Sequence, residues 1–287
     1  MVTLPDEGNW SLRALSDDDS AAALAFLRRD PLINVYLISR LMEERFASSA
    51  QMVEVRYGGD IVLVASLATN IVLGADPRLP EDITHAAIAV VAERILTRML
   101  PVRAIISSAP LVEALWRRLG TRLDPPTVVR LNQPVYSNRG RLDFPDLTKA
   151  RYSTLGDLDA LVPACAAMHH EEVGIDPMER DAVGYRDRVR DLITKSRSVI
   201  RVADRTIVAK CEYSAMTSDC VQLMGVWTNP RSRRKGYARG MLQEVCGHLA
   251  RRGKIVTLFV NDFNRPAIQL YESLGFERIG VNRALIW

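Results

Sequence analysis

Apolar residues along the second half of the chain recur at spacings that predict an alternating series of helices and strands. Spacings of three and four predict one helix through Leu158, Leu161 and Cys165, and another over residues 185–195. Short apolar runs separated by turn residues predict three strands, at residues 198–202, 206–215 and 220–227. The same signals then predict a helix, a strand, a helix and two strands, at residues 239–252, 255–260, 264–274, 276–280 and 283–287.

The first half repeats this order of two helices, three strands, a helix, a strand, a helix and a strand. Its predicted elements are residues 17–28, 32–44, 51–57, 61–67, 70–73, 83–99, 102–106, 111–119 and 127–131. Residues 134–149 between the halves contain turn formers and little periodicity, which predicts a linker. We therefore predict a duplicated α/β unit, with domains at residues 1–135 and 150–287 and a linker at residues 136–149.

The composition is typical of a globular protein without a membrane span. Of the 287 residues, 48% are apolar and 25% are charged, and no apolar run approaches the roughly 20 residues of a bilayer helix. The N-terminal residues lack the basic and apolar regions of a signal peptide, so we expect a cytoplasmic protein. The net charge of +4 does not indicate a nucleic-acid partner. We expect no membrane partner either, and a monomer or weak homodimer.

The cysteines and histidines give no indication of a metal site. The four cysteines are widely spaced in apolar stretches, which predicts reduced and buried thiols. None of the four histidines stands at zinc-ligand spacing from a cysteine or a carboxylate. We therefore predict a protein without a bound metal.

A basic turn, Arg233-Arg234-Lys235-Gly236-Tyr237-Ala238, joins the strand that ends near Trp227 to the next helix. A helix that begins here presents unpaired backbone N–H groups and the positive end of its dipole, which together hold a phosphate group. A solvated basic turn is the alternative. The spacing Arg-x-x-Gly-x-Ala differs from the P-loop and dinucleotide motifs. The equivalent turn of the first half contains Pro77 and Pro80 among acidic residues, so we expect no phosphate there.

Three blocks of sequence follow one another in the second half. They are V-W-T-N-P (residues 226–230) with the basic turn, N-D-F-N-R-P-A (261–267) and L-Y-E-S-L-G-F (270–276). Together they resemble the GNAT superfamily of acyl-CoA-dependent N-acyltransferases. The whole chain is similar to a two-part actinobacterial GNAT group with a degenerate N-terminal domain. The resemblance implies an α/β (α+β) fold of tandem GNAT-like domains, each a mixed, largely antiparallel sheet flanked by helices.

The resemblance also implies a set of contacts to acetyl-CoA as co-substrate. The pantetheine arm would lie along the backbone of Val226, Trp227 and Thr228. Backbone N–H groups of the turn would bind the pyrophosphate, where Gly236 permits close approach and Ala238 leaves the helix start open. The other implied contacts come from Arg233, Arg234, Lys235, Tyr237, Arg239 and Asn264. A plain helix N-cap is an alternative role for Asn264.

Tyr271 matches the family tyrosine near the cofactor sulfur, although a core tyrosine would explain the same position. Because a phenol has a pKa of about 10 and a thiol one of about 8.5, a neutral tyrosine can protonate a departing thiolate, worth about 10²–10⁴-fold in rate. Many relatives have a glutamate five residues before the asparagine, where this chain has Phe259. The general base that would deprotonate the amine is therefore not assigned. Glu171 and Glu172 are the first candidates, and Asp176 and Glu212 are further ones. An acidic surface turn is the alternative for the residues near 171.

The resemblance thus implies a GNAT-type N-acetyltransferase that moves an acetyl group from acetyl-CoA to a primary amine by direct attack, with Tyr271 as general acid. The amine would belong to a small molecule, a peptide or a protein. The alternative function, motivated by Phe259, is a non-catalytic module that binds acyl-CoA for regulation. A nucleic-acid binder that uses residues 231–239 is disfavoured because Tyr237 is the only aromatic residue in that run.

Overall fold

The computed structural model describes residues 9–16, 18–43, 51–139 and 143–287. Contacts divide these residues into two units. Unit 1 comprises the described residues up to Tyr136 together with Phe259–Arg265 and Arg278–Trp287. Unit 2 comprises the described part of Ser137–Leu258 together with Pro266–Glu277. The predicted domains divide the chain once, at residues 136–149, whereas unit 1 also includes Arg278–Trp287 from the end of the chain. The division into two such domains stays a prediction.

Unit 1 is a layer of strands with helices packed on it. Its strands are β1 (Trp10–Ala14), β2 (Met52–Tyr57), β3 (Asp60–Leu67), β4 (Asn70–Gly74), β5 (Ala104–Ser108), most of β6 (Val128–Asn138) and most of β12 (Glu277–Ile286). Its helices are α1 (Ser20–Leu27), α2 (Val35–Glu43), α3 (Glu81–Thr97) and α4 (Ala109–Leu119). The strand order is β1-β2-β3-β4-β5-β12-β6, with β4 and β5 parallel. Leu285 of β12 packs in the same core as Ile71 and Ile105, which fixes the final strand in this unit.

Unit 2 has the same plan. Its strands are β7 (Ala150–Tyr152), β8 (Ser198–Ala203), β9 (Thr206–Met216), β10 (Cys220–Thr228) and nearly all of β11 (Ile255–Phe259). Its helices are α5 (Leu158–Val173), α6 (Pro177–Thr194), α7 (Tyr237–Ala250) and nearly all of α8 (Arg265–Ser273). The strand order is β7-β8-β9-β10-β11, antiparallel except for the parallel pair β10 and β11.

The predicted fold class is confirmed, since each unit is a mixed, largely antiparallel sheet flanked by helices. The order strand, two helices, three strands, helix, strand, helix, strand occurs twice, as β1–β6 and β7–β12. All four cysteines are buried and unbridged. No helix in the described ranges is long and apolar enough to cross a membrane.

Several predicted boundaries were wrong. The linker was predicted to begin at residue 134, but β6 continues to Asn138 because Val135 and Tyr136 are buried. The two predicted terminal strands are one strand, β12, and β1 and β7 were not predicted. Helix α6 begins eight positions before the predicted residue 185, where the Asp176 carboxylate accepts a hydrogen bond from the Met178 N–H and caps the helix. The predicted helix ends at residues 17 and 44, and residues 140–142 of the linker, lie outside the described residues.

Glu244 of α7 holds the segment that leads into β7. Its Oε2 accepts hydrogen bonds from the backbone N–H groups of Thr148, Lys149 and Ala150, each at 2.8 Å. The residue is only 4% exposed. Burial disfavours the carboxylate, but the three N–H donors outweigh it, so the pKa of Glu244 lies below its ordinary value. The ionised Glu244 side chain therefore supplies the hydrogen-bond acceptor for the backbone of residues 148–150, where the chain enters β7.

Replacing Glu244 with alanine should lower the free energy of unfolding by about 2 kcal/mol at pH 7, because three backbone N–H groups, one of them in the buried Ala150, lose a charged acceptor. The lowered pKa means that this contribution is fully present above the unfolded-state pKa of about 4.3 and fades as the pH falls through the folded-state value. Urea denaturation at pH 7 and at pH 3 should therefore show a smaller difference at pH 3. Gln243→Ala on the same helix is the control, and an equal loss in both variants would contradict the assignment.

Candidate functional site

Strand β10 outruns its parallel neighbour. The register with β11 covers only Cys220, Val221 and Gln222, whereas β10 continues to Thr228. On its other side β10 pairs with β9, and this register shifts between Met224 and Trp227. Gly225 has a left-handed φ of +57° at this bulge. The bulge bends the strand, and its last residues form an edge on which an extended ligand can pair with the backbone.

The basic turn lies at the start of α7 and has the geometry of an anion site. Arg234 and Gly236 both have left-handed backbones, with φ of +60° and +79°. Gly236 is the N-cap of the 14-residue α7, and its first turn contains no acidic side chain and no side-chain cap within the part of the chain that the structure describes. A Cβ placed on Gly236 would meet no described atom within 4 Å. The turn therefore presents its backbone N–H groups to open space, which fits a pyrophosphate.

Two arginines of the turn are hydrogen-bonded to other residues of unit 2, and two further cations of the turn are exposed. Arg233 is engaged: its Nε donates to the Thr228 carbonyl at 3.2 Å and its Nη2 donates to Glu171 Oε2 at 2.5 Å. Arg239 is also engaged, since its Nη2 donates to Ser273 Oγ at 2.6 Å. The side chains of Arg234 and Lys235 are exposed. These two are the cations best placed to add charge to a ligand at the turn, while Ala238 is half-buried in the helix start.

Arg201 of β8 is a neighbour of the turn that the sequence did not indicate. Its guanidinium lies 5.2 Å from the centroid of the Tyr237 ring. A Cβ added to Gly240 would come within 2.4 Å of Arg201 Nη1, so the guanidinium packs directly on the first turns of α7. Arg201 thereby adds a positive charge beside a helix N-terminus that already favours anions.

Glu171, in the last turn of α5, accepts hydrogen bonds from two of the residues predicted to bind the cofactor. Its Oε1 accepts from Trp227 Nε1 at 3.2 Å, and its Oε2 accepts from Arg233. Both oxygens of this carboxylate therefore have donors, and the residue connects α5 to the end of β10. This arrangement favours a positioning role for Glu171 over that of a base.

Tyr271 is buried, and the charge of Glu172 acts on it. Tyr271 is 5% exposed, and its ring packs against Phe276 with centroids 5.8 Å apart. Burial raises the pKa of Tyr271 above its ordinary value, and the negative charge of Glu172 and the Cys211 thiol raise it further. The Tyr271 hydroxyl is therefore protonated at neutral pH and lies within electrostatic reach of the exposed Glu172.

The other candidate residues have different surroundings. Asn264 belongs to unit 1, donates its backbone N–H to the Asn261 carbonyl at 2.9 Å, and directly precedes α8. Asp176 caps α6. Glu212 is buried and its Oε1 accepts from Lys210 Nζ at 2.6 Å. Burial opposes both charges, but their mutual attraction prevails, so the pKa of Glu212 is lowered and that of Lys210 is raised.

Lys210 itself was missed in the sequence, although a signal was present. Residues two apart on a strand share a face, and a lysine and a glutamate stand two apart in the otherwise apolar run of β9. Such a pair in a buried strand indicates an internal ion pair. Among the described residues, no group of three His, Cys, Asp or Glu side chains is arranged to hold a metal ion.

The chain is similar to one protein family model and to several solved structures. Residues 206–285 match the family model FR47-like protein. A GCN5-related N-acetyltransferase from Sphaerobacter thermophilus superposes with a TM-score of 0.61 at 19% identity, over 99% of this chain and 97% of that one. A GNAT-family acetyltransferase from Colwellia psychrerythraea gives 0.58 at 13% identity, over 96% and 100%.

A tandem GNAT protein from the clavulanic acid biosynthesis pathway gives a TM-score of 0.55 at 15% identity, over 96% of this chain and 98% of that one. Among curated proteins, no sequence matches the chain. At these identities the solved structures show a shared fold, here over nearly the full length of both chains. The chain therefore has the fold of these tandem GNAT structures, and its residues 206–285 match the FR47-like family model.

Proposed function

We propose that this chain is an acyl-CoA N-acyltransferase, with acetyl-CoA as its acyl donor and a primary amine as its acceptor. The observation that carries the proposal is the turn before α7, where Arg234 and Gly236 are left-handed and the helix start is open. Acetyl-CoA supplies an activated acyl thioester when bound. The tandem GNAT fold and the FR47-like segment are consistent with this donor.

Backbone groups of unit 2 would hold the donor. The N–H groups between Arg234 and Arg239 bind the pyrophosphate, and each hydrogen bond to a charged acceptor is worth about 1.5–3 kcal/mol. The dipole of α7 adds about 0.3–1 kcal/mol at an exposed site. The backbone of Val226, Trp227 and Thr228 binds the extended arm along the edge of β10. A contact from Asn264 stays a prediction from the family resemblance.

Tyr271 and Glu172 would carry the proton transfers. Burial raises the pKa of Tyr271, so the hydroxyl keeps its proton at neutral pH and donates it only as negative charge develops on the departing sulfur. Glu172 is exposed and ionisable, and it accepts the proton that the amine releases. Glu171 holds Arg233 and Trp227 in place. The three residues then divide into one acid, one base and one positioning residue.

Direct transfer to the amine is favoured over a covalent acyl-enzyme. Cys220 lies on β10, where a nucleophile would be needed, but it is 1% exposed. Burial raises the pKa of its thiol to about 11. A buried neutral thiol is a poor nucleophile because the thiolate is the reactive form.

The cytoplasmic location, the monomeric or weakly dimeric state and the division into two domains stay predictions.

A non-catalytic acyl-CoA-binding module is the second candidate. Two observations favour it: both oxygens of Glu171 are hydrogen-bonded, and Phe259 stands where many relatives have a glutamate. In this case the turn before α7 would bind the same donor, but no group would deprotonate an amine efficiently.

Incubation with acetyl-CoA and a library of primary amines should separate the two candidates. We expect thiol release that requires both the protein and an amine and that saturates with each substrate. Coenzyme A binding without amine-dependent thiol release across the library would favour the binding module. Failure to bind either coenzyme A or acetyl-CoA in calorimetry would contradict both functions.

A further inference from the structure

A buried lysine lies directly behind the bulge of β10. Lys210 is 0% exposed, and its Nζ donates to Glu212 Oε1 at 2.6 Å and to the Gly225 carbonyl at 3.1 Å. Met168 Sδ lies 3.4 Å from the same Nζ. Glu212 also accepts a hydrogen bond from Cys165 Sγ at 3.3 Å. A lysine and its counter-ion are thus fully enclosed beside one particular backbone carbonyl.

Such a pair is a poor means of stabilising a core. The desolvation of two buried charges offsets most or all of their attraction, and apolar side chains of similar size often serve stability as well or better. The Lys210–Glu212 pair contacts Met168 and Cys165, which belong to an apolar core with Leu161 and Ile200. A role that apolar residues do not fill would account for the charge.

The pair is fitted closely to the bulge. A Cβ on Gly225 would lie 3.1 Å from Lys210 Nζ, 3.1 Å from Glu212 Cδ and 3.1 Å from Met168 Sδ. The position also has a left-handed φ of +57°. Glycine therefore allows the backbone of β10 to approach the ammonium group, and the Gly225 carbonyl receives a hydrogen bond from a full positive charge.

The Gly225 carbonyl and the Val226 N–H belong to the same peptide group. A cation that donates to the oxygen withdraws electron density through the amide, and hydrogen-bonded groups in series strengthen one another in this way. We propose that Lys210 is a positioning residue that holds the bulge and makes the Val226 N–H a stronger donor to the thioester carbonyl oxygen of the acyl donor. Glu212 keeps Lys210 charged and in place. This inference rests on the proposed function, which assigns the edge of β10 to the acyl-CoA arm.

The double variant Lys210→Met, Glu212→Gln tests the role without leaving an unpaired buried charge. Both positions become neutral, but the ammonium at the Gly225 carbonyl is lost. The readout is the infrared stretching band of the ¹³C-labelled thioester carbonyl in bound acetyl-CoA, which moves to lower frequency as its hydrogen bond strengthens. We expect the band of the double variant to move part of the way back towards its position in free acetyl-CoA, because the Val226 N–H remains as a weaker donor. Coenzyme A has no acyl group and therefore no carbonyl oxygen to accept the weakened hydrogen bond. Its dissociation constant in the double variant should stay within about threefold of the wild-type value.

The kinetic effect should fall on kcat. Removing an entire donor to a developing oxyanion lowers kcat by about 10²–10³-fold, so weakening one donor should lower it about tenfold. Cys165→Ala is the matched control, because it removes the other donor to Glu212 and leaves the contact of Lys210 with Gly225. This control should keep the wild-type carbonyl band. If the variant with methionine at position 210 does not fold, Lys210→Gln with Glu212→Gln has two polar, uncharged side chains and should still raise the band frequency.

An unchanged carbonyl band in a folded double variant that binds acetyl-CoA would overturn this inference alone, and the ion pair would then be only structural. Absence of acetyl-CoA binding by the wild-type protein would instead overturn the proposed function and this inference with it. The two failures are therefore distinguishable from the same set of samples.

Discussion

Replacing Tyr271 with phenylalanine is expected to lower kcat for acyl transfer by about 10²–10⁴-fold, the range over which a positioned general acid contributes. Only the hydroxyl is removed, and the ring that packs against Phe276 at 5.8 Å is kept. The affinity for coenzyme A should stay within about twofold, because the proton transfer is not part of binding. Steady-state kinetics and calorimetry on the same protein give both numbers.

Tyr185→Phe is the matched control for this experiment. Tyr185 of α6 is half-buried, and burial raises its pKa to about 12. Like Tyr271, it has a hydroxyl whose pKa is raised by burial, but it has no proposed part in the reaction. A Tyr271→Phe enzyme with a kcat close to that of wild type, or one matched by Tyr185→Phe, would remove Tyr271 from the role of acid.

Gly236→Val is expected to weaken coenzyme A binding by about 10²–10⁴-fold. The left-handed φ of +79° is unfavourable for a residue with a Cβ, particularly a β-branched one. The new side chain would also project into the open space before α7 in which the pyrophosphate is proposed to bind. Loss of two hydrogen bonds to a charged group amounts to roughly 3–6 kcal/mol, which corresponds to that range of affinity.

Gly253→Val provides the control at the other end of the same helix. Gly253 also has a left-handed backbone, with a φ of +68°, and a Cβ there would meet no described atom within 4 Å. Both substitutions should lower the melting temperature to a similar degree. Only Gly236→Val should change the dissociation constant measured by calorimetry, and an equal loss of affinity in the two variants would show that strain, not the turn, is responsible.

The order of elements was predictable from the sequence because most of them have a strong local pattern. Helix α7 and strands β9 and β10 follow directly from apolar spacing. Of the two missed strands, β1 is W-S-L-R-A and contains no buried residue, and β7 has only three residues, so neither forms an apolar run. The position of β12 depends on its antiparallel pairing with β5, where Ala284 faces Ile106. Pairing between residues so far apart in the chain leaves no local signal.

The candidate site divides in the same way. The turn before α7 was predictable because an anion site at a helix start is built from consecutive residues. The interactions that give its neighbours their roles join residues far apart in the chain. They are the hydrogen bonds of Glu171 with Arg233 and of Lys210 with the Gly225 carbonyl, and the electrostatic effect of Glu172 on Tyr271. For this reason the sequence placed Glu171 and Glu172 together as bases, whereas their surroundings in the fold differ.

A crystal structure of the protein with coenzyme A tests the central claim most directly. We expect the diphosphate oxygens to accept hydrogen bonds from backbone N–H groups of residues 235–239, with the pantetheine arm beside residues 226–228 and the sulfur near the Tyr271 hydroxyl. A nucleotide bound at any other surface, with the turn before α7 empty, would contradict the account.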